Sequence, residues 1–233
     1  MEPIPETHEA LEELERYGDV ELRGDLQRLT EQAKQRVPGL VGVSLSLVAE
    51  DLVLTYVASD VDVAALDAVQ YTDDGPCLEA IRQEAVIETD TEALIDEGRW
   101  QLFAQASAAA GIRSSLSMPF RRQGVVTGGV NLYGGAGDTF EGHTQELAEL
   151  FGAWARGAVT NADLSFATRL EAVKSPQKLR GQAYLDQAIG FLVAARGLEP
   201  RAAEASIQAA AARAGVAVHV LARALVEALD PHG

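Results

Sequence analysis

GLVGVSLSLVAEDLVLTYVAS, residues 39–59, decides the fold class. Its Val and Leu residues alternate with small polar ones, the two-residue period of a strand. Glu50-Asp51 divides two such runs, so the stretch predicts a β-hairpin. A second pair of strands follows at 112–122 (IRSSLSMPFRR) and 125–135 (VVTGGVNLYGG), joined at Gln123-Gly124. Within it, Gly128-Gly129 marks a bulge or a close approach of backbones. Between the pairs, VDVAALDAVQ (61–70) returns to helical spacing. DDGPC (73–77) turns into a short helix with Pro76 in its first turn, and AVIET (85–89) reads as a short strand. WQLFAQASAAAG (100–111) is an Ala-rich helix stopped by Gly111. Outside the strands, Leu11, Leu14, Leu22, Leu26, Leu29 and Ala33 predict a helix over 7–36, ended by Pro38-Gly39. Another helix runs from about Glu141 towards Phe166. The first part is therefore α+β, an antiparallel sheet flanked by helices.

Beyond Phe166 no strand pattern remains. Ala supplies 18 of the last 68 residues, and the breakers Ser175-Pro176, Gly197 to Pro200 and Gly215 divide the segment. Helices are expected at 179–196, 200–214 and 218–229, a small all-α three-helix domain. The division is an N-terminal helix over 1–37, an α+β domain over 38–166 and the helical domain over 167–233.

With 47% hydrophobic and 23% charged residues in 233, the chain has the composition of a globular protein with a substantial core. No apolar run reaches the roughly 18 residues of a membrane span. MEPIPETHEALEELER has neither the basic nor the apolar region of a signal peptide, and Cys77 stands alone, so a cytoplasmic protein without disulfides is expected. The net charge of −16 is uneven: residues 166–233 hold eight basic against six acidic side chains, about +2, which leaves about −18 on the rest. Such asymmetry points to modules with different partners.

No catalytic constellation is present. The histidines at 8, 143, 219 and 232 lack metal-ligand spacing, and there is no nucleophile elbow, phosphate loop or dinucleotide fingerprint. No cofactor or metal is expected. Cys77, at a helix start, reads either as a thiol activated by amide dipoles or as a small buried residue. Trp100, Phe103, Met118 and Tyr133 read as cavity lining or as plain core.

The ordered segments ASDVDVAALDAVQ (58–70), DDGPCLEA (73–80), RWQLFAQASAAAGIRSSLSMPF (99–120), GGVNLYGG (128–135) and TFEGHTQELAELFG (139–152) resemble a GAF domain of actinobacterial signalling proteins. That resemblance implies a central antiparallel sheet with helices on both sides and a cavity on one face. Here the cavity would be bounded by Cys77, Trp100, Phe103, Ser115, Met118, Asn131 and Tyr133. Its wall would be mostly apolar and would take a small apolar ligand or none. Residues 179–227 resemble an ANTAR domain, the RNA-binding module of transcription antitermination regulators. Leu185, Gln187, Ala188, Gly190 and Leu192 stand at the family's positions in the first helix, whereas Gln182 and Ile189 replace its usual cations. The resemblance implies binding to stem-loops of nascent RNA, and Lys178, Arg180, Tyr184, Arg196, Arg201 and Arg213 are the candidate contacts. It also implies a homodimer through the terminal helices of the sensor, burying Leu11, Leu14, Leu147 and Leu150. The expected function is a signal-responsive antitermination regulator and not an enzyme. The alternatives are a dimeric interaction module with vestigial RNA binding and a redox sensor acting through Cys77.

Overall fold

A computed structural model describes residues 20–49, 52–122, 124–158 and 182–229. Leu11 and Leu14, Lys178 and Arg180, and the expected domain boundary at 166–167 lie outside these residues. The chain runs α1 (Val20–Arg36), β1 (Leu40–Ala49), β2 (Leu52–Ala58), α2 (Val61–Asp73), α3 (Pro76–Gln83), β3 (Ile87–Asp90), α4 (Thr91–Glu97), α5 (Gln101–Ala109), β4 (Ser114–Arg122), β5 (Val125–Gly134) and α6 (Thr144–Ala158). It resumes with α7 (Gln182–Arg196), α8 (Pro200–Ala214) and α9 (Val218–Leu229). The expected α+β architecture and the three C-terminal helices are both present.

The five strands form one antiparallel sheet in the order β2-β1-β5-β4-β3. Because side chains alternate, each strand sorts its residues between two faces. Val43, Leu45 and Leu47 of β1, Leu116, Met118 and Phe120 of β4, and Val130 and Leu132 of β5 join a core with Leu26 and Ala33 of α1. Leu147, Phe151 and Ala155 of α6 complete that core. The intervening residues Ser44, Ser46, Thr55, Ser115, Ser117 and Asn131 face the other way and are buried as well. The alternation of Ser with Leu thus separates an apolar interior from a polar one, rather than core from solvent.

Local chemistry fixes the helices over the polar face. Asp60 caps α2 by accepting from the Val63 amide at 2.9 Å, and Asp90 caps α4 from Ala93 at 2.8 Å. Helix α4 had no counterpart in the sequence reading. Gly98 ends it in the left-handed conformation, and Trp100, also left-handed at φ +46°, starts α5 with the Arg99 guanidinium 3.8 Å over its ring.

The C-terminal bundle packs as a further layer. Helices α8 and α9 lie on α2, α9 also lies on α5, and α8 reaches the edge strand β2. Ile207, Ala211, Leu221 and Leu225 share one continuous apolar cluster with Val53, Val63, Val69 and Phe103. The small side chains of α8 let it approach α2 closely. Helix α2 is therefore covered on both sides, and every residue from Val63 to Tyr71 is buried.

Helix α6 corrects one expectation. Leu147 is spent in the core of its own chain, so it does not present a face to a second copy; Leu150 is only partly buried against the same core.

Gly128 shows the close approach its sequence implied. The register shifts between Phe120 and Arg121 opposite it, and a Cβ there would collide with the Ser46 carbonyl oxygen and the Phe120 ring. Gly128→Ala is expected to lower stability by about 1–3 kcal/mol through overpacking, measured by urea unfolding. Gly124→Ala, in an open turn with φ +86°, should cost about 1 kcal/mol through backbone strain alone.

Candidate functional site

Asp67, on the middle turn of α2, points into the polar face of the sheet and is fully buried. A lone buried carboxylate is costly unless donors surround it. Three do so here. Thr55 Oγ1 donates to Oδ2 at 2.8 Å, while Tyr133 OH and Asn131 Nδ2 donate to Oδ1 at 2.5 and 3.2 Å. Thr55 has one hydroxyl proton and gives it to Asp67, so in its 2.8 Å contact with Tyr71 the tyrosine is the donor. Tyr71 OH then accepts from Ser46 at 3.1 Å.

The network continues across the sheet. Ser117 donates to Asn131 Oδ1 at 3.0 Å, and Asn131 donates to Ser44 at 3.2 Å. Gln70 bridges Tyr133 and the Cys77 amide, donating at 3.2 Å and accepting at 2.8 Å. Ser115 meets Thr89 of the edge strand at 2.7 Å. A chain of hydroxyls and amides thereby ties α2 and α3 to four strands.

Electrostatics follow from burial. Desolvation lifts the Asp67 carboxyl above its ordinary range, and hydrogen bonds led by that of Tyr133 pull it part of the way back. Burial first, and the neighbouring Asp67 charge second, hold Tyr71 and Tyr133 far above the usual phenol. Cys77 is pushed up to about 12 by the same two causes, and its sulfur lies 3.9 Å from Ser46 Oγ. Although it stands at a helix start, the thiol is buried, and burial outweighs the amide dipoles in favouring its protonated form. The redox reading loses its reactive thiolate.

The residues assigned to a cavity divide. Cys77, Ser115, Asn131 and Tyr133 share the polar interior, and Phe103 is core on the same side of the sheet. Trp100 sits half-buried at the start of α5. Met118 lies on the opposite face among the leucines, because it follows Ser117 by one residue in an extended strand. The wall is not mostly apolar, and Asp67, its charged member, was missed. One Asp in a helical run carries no sign of burial; the alternating serines it faces were the available signal.

The residues assigned to RNA divide as well. Arg201 is exposed, and Tyr184 presents nearly half of its surface. Arg196 instead pairs with Asp73 at the end of α2. Arg213 lies 4.3 Å over the Tyr71 ring and donates from Nε to the Val53 carbonyl at 2.9 Å and from Nη1 to the Tyr71 carbonyl at 3.3 Å. Ile189, where the ANTAR pattern has a cation, packs partly buried against the shared core. Arg223 stands 3.9 Å from Asp62 beside a groove of about 260 Å³ between α2, α5 and α9. In this arrangement Arg213 is turned onto the sheet-bearing half, while Arg196, though paired with Asp73, keeps about half of its side chain exposed.

Among the described residues no cluster of His, Cys, Asp or Glu could hold a metal ion. No single helix among them is long and apolar enough to cross a membrane.

A family model described as the GAF domain matches residues 21–159. No curated protein matches. Among solved structures, the chain is similar to a type II free methionine-R-sulfoxide reductase from Thermoplasma acidophilum, at 13% identity and a TM-score of 0.40. The similarity covers 57% of this chain and 86% of that one.

Asp67 yields a pH prediction. Since its folded pKa is raised, the folded state keeps a proton that the unfolded chain has released between the two values. The stability it contributes is full below the unfolded pKa and is lost as pH rises through the folded one. The melting temperature of Asp67→Asn minus that of wild type is therefore expected to increase from pH 4 to pH 8; a constant difference would contradict the assignment. Cys77, in turn, should resist maleimide at pH 8 in the folded protein and react on unfolding.

Proposed function

The chain belongs to the GAF-domain family, and from that premise we propose a sensor whose sheet-bearing half holds an RNA-binding output bundle in a docked, silent state. The output is that of the ANTAR resemblance: stem-loops in nascent RNA, bound so as to oppose termination of transcription. The observation that carries the reading is the position of two cations. Arg196 and Arg213 belong to the bundle's candidate RNA face, and both are engaged on α2. Phosphate contacts by Lys and Arg supply most of the non-specific affinity for nucleic acid. A bundle with Arg213 withheld and Arg196 neutralised by Asp73 binds RNA weakly, and one released from α2 regains both. The acidic first part adds repulsion over a Debye length of about 8–10 Å at physiological salt.

The reading includes a homodimer through the N-terminal helix. With Leu147 buried inside the chain, α6 contributes Leu150 to it. A cytoplasmic site of action goes with control of nascent transcripts.

Release can be forced at Ala106, a buried residue of α5 on the groove beside α9. Ala106→Glu places a charge in that contact. The added negative charge alone would weaken RNA binding, so a gain can come only from release. The full-length variant is expected to bind structured leader RNA at least tenfold more tightly than wild type, with a steeper salt dependence, in a gel-shift series. Scattering that shows an expanded variant with no gain in affinity would remove the RNA function. The interaction-module reading would then take its place.

A further inference from the structure

Every acceptor around Arg213 belongs to the sheet-bearing half, and only the cation comes from the bundle. The Tyr71 carbonyl is one of the last four of α2, which lack an intrahelical partner and form the negative end of the helix dipole. The Val53 carbonyl lies on β2, the edge strand of the sheet. The Tyr71 ring supplies an electron-rich face, and its hydroxyl is held from behind by Thr55 and Ser46, so the plane is fixed before the cation arrives. Arg213 makes no ion pair among the described residues. Its charge is met by dipoles and a ring, not by a carboxylate.

The shape of this recess is selective. Two carbonyls receive two different nitrogens of one flat group while its face lies on an aromatic ring. A planar guanidinium does all three at once; an ammonium, a compact point charge with no flat face, does not. Arg213 is only partly buried, so the recess opens to water.

We propose that the Tyr71–Val53 recess is a binding site for a small guanidinium-bearing molecule, which competes with Arg213 and frees the bundle when it enters. The site names the ligand class of the sensor and so rests on the docked-bundle reading above. Tethered Arg213 acts as a built-in competitor at high effective concentration. The free ligand therefore binds wild type weakly and binds a chain without that side chain well.

The probe is methylguanidinium, with methylammonium and N-methylurea as controls for shape and charge, titrated calorimetrically into the full chain. Arg213→Ala is expected to bind methylguanidinium one-to-one and at least tenfold more tightly than wild type, and at least tenfold more tightly than it binds either control. Arg213→Gln, which keeps two of the three stem methylenes, serves in its place should the alanine variant not fold. In wild type, saturating methylguanidinium should expand the particle in small-angle scattering, while methylurea should not. Equal affinity of wild type and both variants, or equal binding of methylurea, would overturn the site. RNA affinity of Ala106→Glu is independent of this ligand. Loss of the RNA gain with methylguanidinium binding intact removes only the output, and the converse removes only the site.

Discussion

A carboxylate without solvent constrains this molecule more than any other group. Asp67 is buried at the centre of the structure, and burying a charge is tolerable only when donors encircle it. Meeting that demand accounts for much of the sheet's composition. Ser, Thr, Asn and Tyr occupy the face towards α2 where an ordinary core would place Val or Leu, and Thr55, Ser117, Asn131 and Tyr133 are hydrogen-bonded within the network. Such a network specifies one arrangement, because any shift of α2 leaves donors or the carboxylate unpaired. The outer side of α2 is apolar too, since Val63, Leu66 and Val69 share a cluster with the bundle. The C-terminal bundle supplies the cover.

Two packing regimes therefore meet at α2. Inside, hydroxyls and amides hold it in register; outside, alanine-rich α8 and α9 hold it by close apolar contact, with Arg196 and Arg213 at its C-terminal end. That end is where both regimes are felt at once. Tyr71 gives its hydroxyl to the inner network, and its ring and carbonyl to Arg213. Tyr71 thus belongs at once to the inner network and to the contact with the bundle.

Much of the architecture was legible. The strand period at 39–59 and 112–135 places four of the five strands, and Pro200, Gly197 and Gly215 bound the C-terminal helices. Helix α4 went unread, although Asp90 and Gly98 were its caps in plain view; seven residues are too few for a helical period to declare itself. The site was harder to see for a different reason. Alternation says that one face of a strand is apolar, but it does not say whether the other faces water or a second layer. Met118, one residue after Ser117, lies on the leucine face and not with Asn131. Arg213 carried no mark in the sequence to separate a cation for RNA from a cation for the chain's own tyrosine, because that distinction lies in tertiary contacts 142 residues apart.

Dependence of α2 on the bundle through Arg213 is tested directly by amide hydrogen exchange in the full-length protein. In Arg213→Ala the amides of α2 are expected to lose protection, most at the turn around Tyr71, while those of α1, α6 and the leucine face of the sheet keep theirs. Unchanged protection of α2, or a uniform loss across the whole domain, would contradict it.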